Sequence, residues 1–163
     1  MTEPTAAPYR SEVMQVEDAW IDYNGHLNMA YYNVLFDRAV DQAFIDFGLG
    51  PDYVSERHAS YFTVETHLCY LAELNRGDPV RVETRIMDFD DKRLHIYQEL
   101  YHADGWLSAT SEQIHLHVDM DAKRAAPWPD DIRARIEAAF AVHSQLERPE
   151  RSGRSIGIVR KSA

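Results

Sequence analysis

The amino-acid sequence predicts an α+β fold in which an antiparallel sheet of about five strands wraps a long central helix, with a second helix near the C-terminus. A long amphipathic segment over residues 29–47 precedes four segments of alternating polar and apolar residues. The links between those four segments are short, and short links favour antiparallel neighbours. One antiparallel sheet with a helix laid on one face is the economical packing for this order of elements.

The first elements are a weak strand and the long helix. Weak alternation over Ser11–Ala19 predicts the strand. The helix is predicted over Met29–Phe47, because its apolar residues recur at the three- and four-residue spacing of one buried face: Leu35, Phe36, Ala39, Val40, Ala43, Phe44 and Phe47. Asn28 is a good N-cap candidate, and Gly48 stands where a helix-ending glycine belongs.

The remaining elements are four strands and the second helix. The strands are predicted over Ser60–Leu71, Val80–Phe89, Leu94–Ala103 and Trp106–Val118. Asp104-Gly105 is a hairpin signal between the last two. The second helix is predicted over Asp130–Leu146, with Asp130 as its N-cap candidate and Pro149 beyond its end.

The chain organisation suits one domain. A length of 163 residues lies within the usual range for a single domain. We expect a loose leader over residues 1–10, one domain over residues 11–147 and a tail over residues 148–163. The tail is basic, and either meets an anionic ligand or is simply solvated.

Composition and charge exclude several classes of protein. The net charge of −10 argues against nucleic-acid binding, which usually needs a basic surface. One cysteine, Cys69, excludes an intramolecular disulfide framework. No apolar run is long enough to span a membrane, and the first ten residues show no secretory signal. We therefore expect a cytoplasmic protein that binds neither nucleic acid nor membrane.

Two familiar kinds of site are not supported. The segment Gly153–Gly157 matches the G-x-S-x-G pattern of serine hydrolases, but that pattern needs an acid and a histidine downstream, and neither follows. The histidines are scattered over different elements, so we expect no metal site. No glycine-rich phosphate loop is present.

The turn at residues 22–28, Asp-Tyr-Asn-Gly-His-Leu-Asn, carries the strongest chemical signal. An acid, two carboxamides and a histidine stand directly before the long helix. The helix start supplies unpaired N–H groups and a partial positive charge, which can hold a developing oxyanion. An acid beside it can act as a base or a nucleophile. The alternative is a polar loop that merely caps the helix.

This turn resembles the D-x-N-x-H-x-N segment of hot-dog-fold acyl-CoA thioesterases, the 4-hydroxybenzoyl-CoA thioesterase-like superfamily. The resemblance spans roughly residues 13–120. A narrower likeness is to betainyl-CoA thioesterases of bacterial carnitine breakdown. It rests on the turn and on the segments at residues 61–66, 92–95 and 109–113.

The resemblance implies a hot-dog fold, an active site shared by two copies in a homodimer or dimer of dimers, and no metal or cofactor beyond the coenzyme A of the substrate. Asp22 is implied as the essential carboxylate, either base or nucleophile. Asn24 and His26 would orient substrate, water or carboxylate. Asn28 and Met29, at the helix start, would polarise the thioester carbonyl.

The resemblance also suggests residues that bind the substrate. A betainyl group carries a quaternary ammonium, which favours aromatic faces and carboxylates. The candidates are Trp20, Tyr23, Tyr61, Phe62, Glu65, Trp106 and Glu112. Candidates for the phosphates of coenzyme A are Lys92, Arg93 and Arg124. For each of these residues the alternative is structural: core packing for the rings, an ion pair for Glu65 and Glu112, and a solvated surface for the basic side chains.

The resemblance thus implies hydrolysis of a small acyl-CoA, betainyl-CoA by the narrower likeness, to a carboxylate and free CoA. Three other functions remain open at this point. The first is a thioesterase for aromatic or fatty acyl-CoA, and the second is a hydratase on the same fold, since fold alone does not fix the reaction. The third is a non-catalytic protein that binds an acyl ligand.

Overall fold

The computed structural model describes residues 7–160. The strands are β1 (Tyr9–Arg10), β2 (Met14–Gln15), β3 (Ala59–Tyr70), β4 (Pro79–Phe89), β5 (Arg93–His102), β6 (Leu107–Asp119) and β7 (Arg124–Ala125). The helices are α1 (Met29–Asp46), α2 (Pro51–Arg57) and α3 (Asp130–His143), with a short 3-10 turn at Asp18–Trp20. No helix in this range is long and apolar enough to cross a membrane.

The sheet is antiparallel throughout and leaves β3 at one edge. Its strand order is β1-β4-β5-β6-β3, with β2 also paired to β4 and β7 to β6. We call the end of the sheet where Tyr70 pairs with Ala109 the near end, and the end where Ala59 pairs with Asp119 the far end. A β-bulge between Thr63 and Glu65 shifts the alternation of side chains along β3.

Helix α1 lies on one face of the sheet with its apolar stripe buried. All seven residues of the predicted stripe are buried, which confirms the periodicity argument. The Asn28 side chain accepts a hydrogen bond from the Ala30 N–H, as predicted for an N-cap. Gly48 has a φ of +80°, a left-handed conformation that side chains rarely adopt.

A buried chain of amides ties α1 to the middle of the sheet. The Gln113 side chain donates to Gln98 Oε1 at 3.0 Å, and Gln98 Nε2 donates to the Phe36 carbonyl oxygen at 3.2 Å. Both glutamines are almost fully buried. Because hydrogen bonds are directional, these amides fix the position of the helix more tightly than apolar packing alone.

The structure departs from the sequence predictions at three places before α3, and α3 itself ends at His143 rather than at the predicted Leu146. Residues 9–10, expected in a loose leader, form β1, which pairs with Thr84 and Glu83 of β4. The predicted strand over residues 11–19 is reduced to β2 and the 3-10 turn. Helix α2 was not predicted, because seven residues with one buried side chain, Tyr53, give no periodic stripe. Residues 1–6 of the predicted leader lie outside the described residues.

Helix α3 packs at the far end of the sheet, and the tail that follows it crosses to the face that points away from α1. Helix α3 packs its buried residues into the same core cluster as Phe44 and Phe47. Its N-cap is Pro129 rather than the predicted Asp130, and its side chain makes no capping hydrogen bond. Beyond the helix, the Gly153 N–H donates to the Glu112 carboxylate at 2.7 Å. Residues 161–163 of the predicted basic tail lie outside the described residues.

Candidate active site

The turn from Asp22 to Asn28 is held closed by its own backbone. The Asp22 N–H donates to the His26 carbonyl at 3.1 Å, and the Gly25 N–H donates to the Asp22 carbonyl at 3.0 Å. Gly25 has a φ of +84°, so a glycine suits the position. The Asn28 N–H donates to the Trp20 carbonyl at 2.9 Å, which anchors the end of the turn at the start of α1.

The Asp22 carboxylate is fixed in direction and half-buried. One oxygen accepts the Asn24 N–H at 2.8 Å, and the other accepts the Asn28 side-chain amide at 3.3 Å. Asn28 therefore has two partners, since its amide oxygen caps the Ala30 N–H. A carboxylate has about four lone-pair positions, so two of them remain free for a water or a substrate carbon.

The N-terminus of α1 lies beside this carboxylate. The Ala30 N–H is occupied by Asn28, whereas the Met29 N–H, at the first helical position, has no intrahelical acceptor. The Tyr70 hydroxyl donates to the Met29 carbonyl oxygen at 3.0 Å and so ties the helix start to the near end of β3. The aligned peptide dipoles favour negative charge at this position.

A second layer of side chains supports the turn. His26 Nδ1 lies 3.0 Å from a Glu73 carboxylate oxygen. The Leu27 N–H donates to the Leu74 carbonyl at 2.8 Å, and the Tyr32 hydroxyl accepts the Leu74 N–H at 3.2 Å. The segment after β3 is therefore fastened to both the turn and the helix.

An open groove of about 710 Å³ runs over these groups. The structure brings six predicted site residues together along it: Asp22, Tyr23, Asn24, His26, Asn28 and Met29. Tyr23 is 97% exposed, so its ring has no packing partner within the described chain. The groove also contains Tyr32, Tyr70 and Glu73, which were not among the predicted site residues. No motif identifies these three, because 41 residues separate Tyr70 from the Met29 carbonyl that it contacts.

Two aromatic candidates for the substrate do not line this groove. Trp20 is buried, with its ring stacked on Tyr31 at 5.6 Å and the Arg38 guanidinium 4.9 Å from its centre. Trp106 lies at the β5–β6 turn and stacks on His102 at 4.8 Å. Both rings therefore have structural packing roles within one copy of the chain.

The two glutamate candidates lie on the face of the sheet that points away from α1. Glu65 pairs with Ile114, and His67 pairs with Glu112, whereas their neighbours Thr63 and His115 face the helix. Glu112 lies 2.8 Å from His95 Nε2 and also accepts the Gly153 N–H. The structure thus supports the ion-pair alternative for Glu112.

The remaining candidates lie toward the far end. Tyr61 faces α1 and donates its hydroxyl to Asp41 at 3.1 Å, and Phe62 is half-exposed on the edge strand. Lys92 and Arg93 lie at the β4–β5 turn, and Arg124 lies in β7. Arg93 pairs with Leu116, seven residues along β6 from Ala109, so it lies about 23 Å from the near end. One copy of the chain does not bring these basic residues to Asp22.

The His, Cys, Asp and Glu side chains over residues 7–160 form no group of three or more that could hold a metal ion. Asp22 and His26, the nearest candidates in the groove, are committed to amide donors and to Glu73, respectively.

The chain is similar to known proteins in both sequence and structure. Residues 16–136 match the thioesterase-like superfamily. The chain is 41% identical over 140 residues to betainyl-CoA thioesterase of Pseudomonas aeruginosa, covering 85% of this chain and 88% of that protein. It is 36% identical over 151 residues, 92% of its length, to L-carnitine dehydrogenase/betainyl-CoA thioesterase of a Rhizobium species, of which it spans only 30%.

Two solved structures share the architecture over 96% of this chain and all of theirs. A hypothetical protein from Staphylococcus aureus, solved in complex with CoA, has a TM-score of 0.86 at 28% identity. A candidate thioesterase from Pseudomonas putida has a TM-score of 0.82 at 32% identity. These likenesses confirm the predicted hot-dog fold, and with the match over residues 16–136 they show that the chain belongs to the thioesterase-like superfamily.

Proposed function

We propose that the protein is an acyl-CoA thioesterase that hydrolyses betainyl-CoA to glycine betaine and free CoA, a step in carnitine breakdown. Asp22 carries the proposal, because its carboxylate is aimed into an open groove beside the N-terminus of α1. The similarity to the Pseudomonas aeruginosa enzyme supports the choice of acyl group. The net charge of −10 favours approach of a cationic acyl group over a fatty one.

Asp22 acts on the thioester carbonyl in one of two ways. As a general base, it takes a proton from water while the water oxygen bonds to the carbonyl carbon. As a nucleophile, its own oxygen forms that bond, and water then hydrolyses the resulting anhydride. In both routes the carbon–sulfur bond breaks, and the thiolate leaves and is protonated.

The helix start stabilises the negative charge that develops on the carbonyl oxygen. The Met29 N–H is the donor, and the helix dipole adds to its effect. Asn24 and Asn28 hold Asp22 in place, and Glu73 holds His26 at the groove wall. A CoA thiolate is a good leaving group, so one carboxylate and a helix terminus are sufficient, and the reaction as proposed uses no metal or other cofactor.

The partner in binding is the acyl-CoA itself. The CoA complex of the Staphylococcus aureus relative supports a CoA-binding role for this fold. Lys92, Arg93 and Arg124 remain the proposed contacts for the CoA phosphates, now from a second copy of the chain, because they are remote from Asp22 within one copy. A cytoplasmic location also remains a prediction.

We place the complete site between two copies in a homodimer, either alone or within a dimer of dimers. Strand β3 is twelve residues long and has a neighbour on one side only. Residues 62–66 along this edge are exposed, including Phe62 and Val64. A long, apolar and unpaired edge of this kind favours pairing with another strand.

A hydrolysis screen tests the proposed function. Thiol release is measured from betainyl-CoA, carnitinyl-CoA, 4-hydroxybenzoyl-CoA and short straight-chain CoA esters, with Asp22→Asn as the inactive variant. Asp104→Asn, an exposed acid at the β5–β6 turn, is the matched control. We expect betainyl-CoA to have the highest kcat/KM. Preference for an aromatic or fatty ester would overturn the acyl assignment, and absence of thiol release from every ester would favour a hydratase or a binding protein.

A further inference from the structure

A second groove, of about 530 Å³, lies between α1 and the far end of β3. Its lining includes Asp37 and Asp41 from the helix and the segment 60–63 of the strand, with Tyr61 and Phe62, and we call it the acidic-aromatic groove. Tyr61 donates its hydroxyl to Asp41 at 3.1 Å, so the ring and the carboxylate are held against each other. The groove was not predicted from the sequence, although two of its residues, Tyr61 and Phe62, were candidates for substrate binding.

The two carboxylates carry charge that the described chain does not neutralise. Asp37 and Asp41 lie one helical turn apart, where like charges repel each other. Over residues 7–160, neither has a lysine, arginine or histidine nitrogen within 4.0 Å, and the nearby Arg38 is paired with Glu17. Burial, and secondly the charge of Asp41, raise the pKa of the Asp37 carboxyl. A positive charge in the groove would relieve this repulsion.

The side chains packed behind Tyr61 are uncharged. The Tyr61 ring packs against Phe44 at 4.5 Å and against the fully buried His115 at 5.5 Å between ring centres. Burial lowers the pKa of His115 to about 4, so this imidazole is uncharged near pH 7. The groove therefore combines negative charge with the ring of Tyr61, and among residues 7–160 no basic side chain lines it.

These properties suit a quaternary ammonium ion. Such an ion has no N–H to donate, so it is recognised by nearby negative charge and by the faces or edges of aromatic rings rather than by directional hydrogen bonds. Lysine-like ammonium groups would instead need several acceptors at fixed angles. The acidic-aromatic groove offers two carboxylates and the ring of Tyr61.

The groove is too far from Asp22 to serve the same copy of the chain. In a betainyl thioester one methylene separates the nitrogen from the carbonyl carbon, which is about 2.5 Å from atom to atom. Asp37 and Asp41 lie 8 and 12 residues along α1 from Met29, about 12 and 18 Å at the helical rise. A bound cation in the groove would therefore leave its own carbonyl far from the nearby Asp22.

Pairing of two β3 edges removes this mismatch. When two β3 strands pair antiparallel along their length, the Tyr70 end of one copy lies beside the Ala59 end of the other, where Tyr61 is located. Tyr70 contacts the Met29 carbonyl at the start of α1. The Asp22 turn of one copy then faces the acidic-aromatic groove of the other.

We propose that the acidic-aromatic groove of one copy binds the trimethylammonium group of a betainyl thioester whose carbonyl lies at Asp22 of the second copy. This inference rests on the proposed function and adds the residues that select the cation. Asp37 and Asp41 supply the charge, and Tyr61 supplies the aromatic ring, while Phe62 lines the rim of the groove.

The first test compares two esters of the same shape. Betainyl-CoA is set against 3,3-dimethylbutanoyl-CoA, in which carbon replaces the quaternary nitrogen. We expect the double variant Asp37→Asn/Asp41→Asn to lower the ratio of kcat/KM for betainyl-CoA to that for the isostere by about 10- to 100-fold. Asp46→Asn, which removes an exposed charge from the same helix, is the control and should keep the parental ratio.

The outcomes separate the two proposals. If the parent protein hydrolyses other esters but not betainyl-CoA, the proposed function fails. If the parent prefers betainyl-CoA and the double variant keeps the parental ratio, the cation site is elsewhere and this inference is overturned. Equal losses on both esters also overturn it, because they indicate a structural role for the two carboxylates.

The second test asks which copy supplies the groove. Asp22→Asn and Asp37→Asn/Asp41→Asn chains are co-expressed and the mixed assemblies are assayed with betainyl-CoA. If the groove serves the other copy, one site in each mixed dimer combines an intact Asp22 with an intact groove, and activity rises above that of either variant alone. If the groove served its own Asp22, every site would contain one defect and no recovery would occur.

Discussion

The start and the middle of α1 use carboxylates in opposite ways. At the near end, Asp22 is held by a backbone N–H and a side-chain amide, so its direction is fixed. At the far end, Asp37 and Asp41 have no basic partner over residues 7–160, and only Asp41 receives a hydroxyl hydrogen bond, from Tyr61. Orientation is what a base or nucleophile needs, whereas attraction of a cation needs net charge with little directional bonding. The difference separates a group suited to bond breaking from a pair suited to recognition.

The largest expected effect is at the near end. Asp22→Asn keeps the shape of the side chain but removes the charge that takes a proton or attacks the carbonyl. We expect kcat to fall by about 10³-fold, equivalent to about 4 kcal/mol of transition-state stabilisation. Steady-state thiol release with betainyl-CoA measures this effect. A loss of less than tenfold, with the protein still folded, would show that Asp22 is not the essential carboxylate.

The next effect concerns the stability contributed by His115, which packs behind Tyr61 at the far end. Burial lowers the pKa of His115 to about 4, below its value in the unfolded chain, so the unfolded state binds more protons between pH 4 and pH 6.5. The free energy of unfolding should therefore fall by up to about 3 kcal/mol from this group as the pH decreases from 7 to 4.

Urea unfolding at several pH values measures this slope. The variant His115→Gln should lose its part of the slope and so be less sensitive to pH than the parent protein. An unchanged slope in His115→Gln would show that His115 is as easily protonated in the folded protein as in the unfolded chain.

A smaller effect sharpens the role of Asn28 at the near end. Asn28→Ala removes both the cap on Ala30 and the donor to Asp22, so we expect a loss of about 1 kcal/mol in unfolding free energy together with lower kcat. Asn28→Asp restores the cap but cannot donate to Asp22. It should recover stability and not kcat, which urea unfolding and thiol release measure on the same samples. Recovery of both would leave Asn28 with a capping role only.

The smallest effect concerns the tie between β3 and the helix start. Tyr70→Phe removes the hydroxyl that donates to the Met29 carbonyl, and we expect a loss of about 1 kcal/mol in stability with a several-fold fall in kcat/KM. Tyr9→Phe, in β1 at the opposite edge of the sheet, is the control for removal of a tyrosine hydroxyl. Equal kinetic effects in both variants would contradict a positioning role for Tyr70.

The parts of the fold that could be predicted are those set by local patterns. Helix α1 was predicted to end at Phe47 and ends at Asp46, and the bounds of the four long strands agree with the predictions within one residue. Their signals are the periodic burial of side chains and short turns, which the sequence displays directly. Strand β1 and helix α2 were missed, because two paired residues and a single buried tyrosine have no periodicity.

The residues of the site also differ in whether local sequence patterns could predict them. The Asp22 turn could be predicted because its hydrogen bonds join residues within a few positions of one another. Tyr70 and Glu73 could not, since they reach the turn only through the packing of β3 against α1. The β-bulge after Thr63 also changes the expected alternation, so that Tyr61 faces α1 while Glu65 faces away. Aromatic content alone did not distinguish the structural ring of Trp20 from those that line a groove.

The buried amides of Gln98 and Gln113 fix where α1 lies along the sheet. Gln98 donates to the carbonyl of Phe36, about midway between the start of the helix and Asp41. A helix packed only by apolar side chains could shift along the sheet by one turn at a small cost in free energy. A shift here would leave the buried Gln98 amide without its hydrogen-bond acceptor. The reactive carboxylate and the charged pair of each chain therefore keep fixed positions along the sheet. In two paired chains, these positions set the size of the acyl group that fits between them.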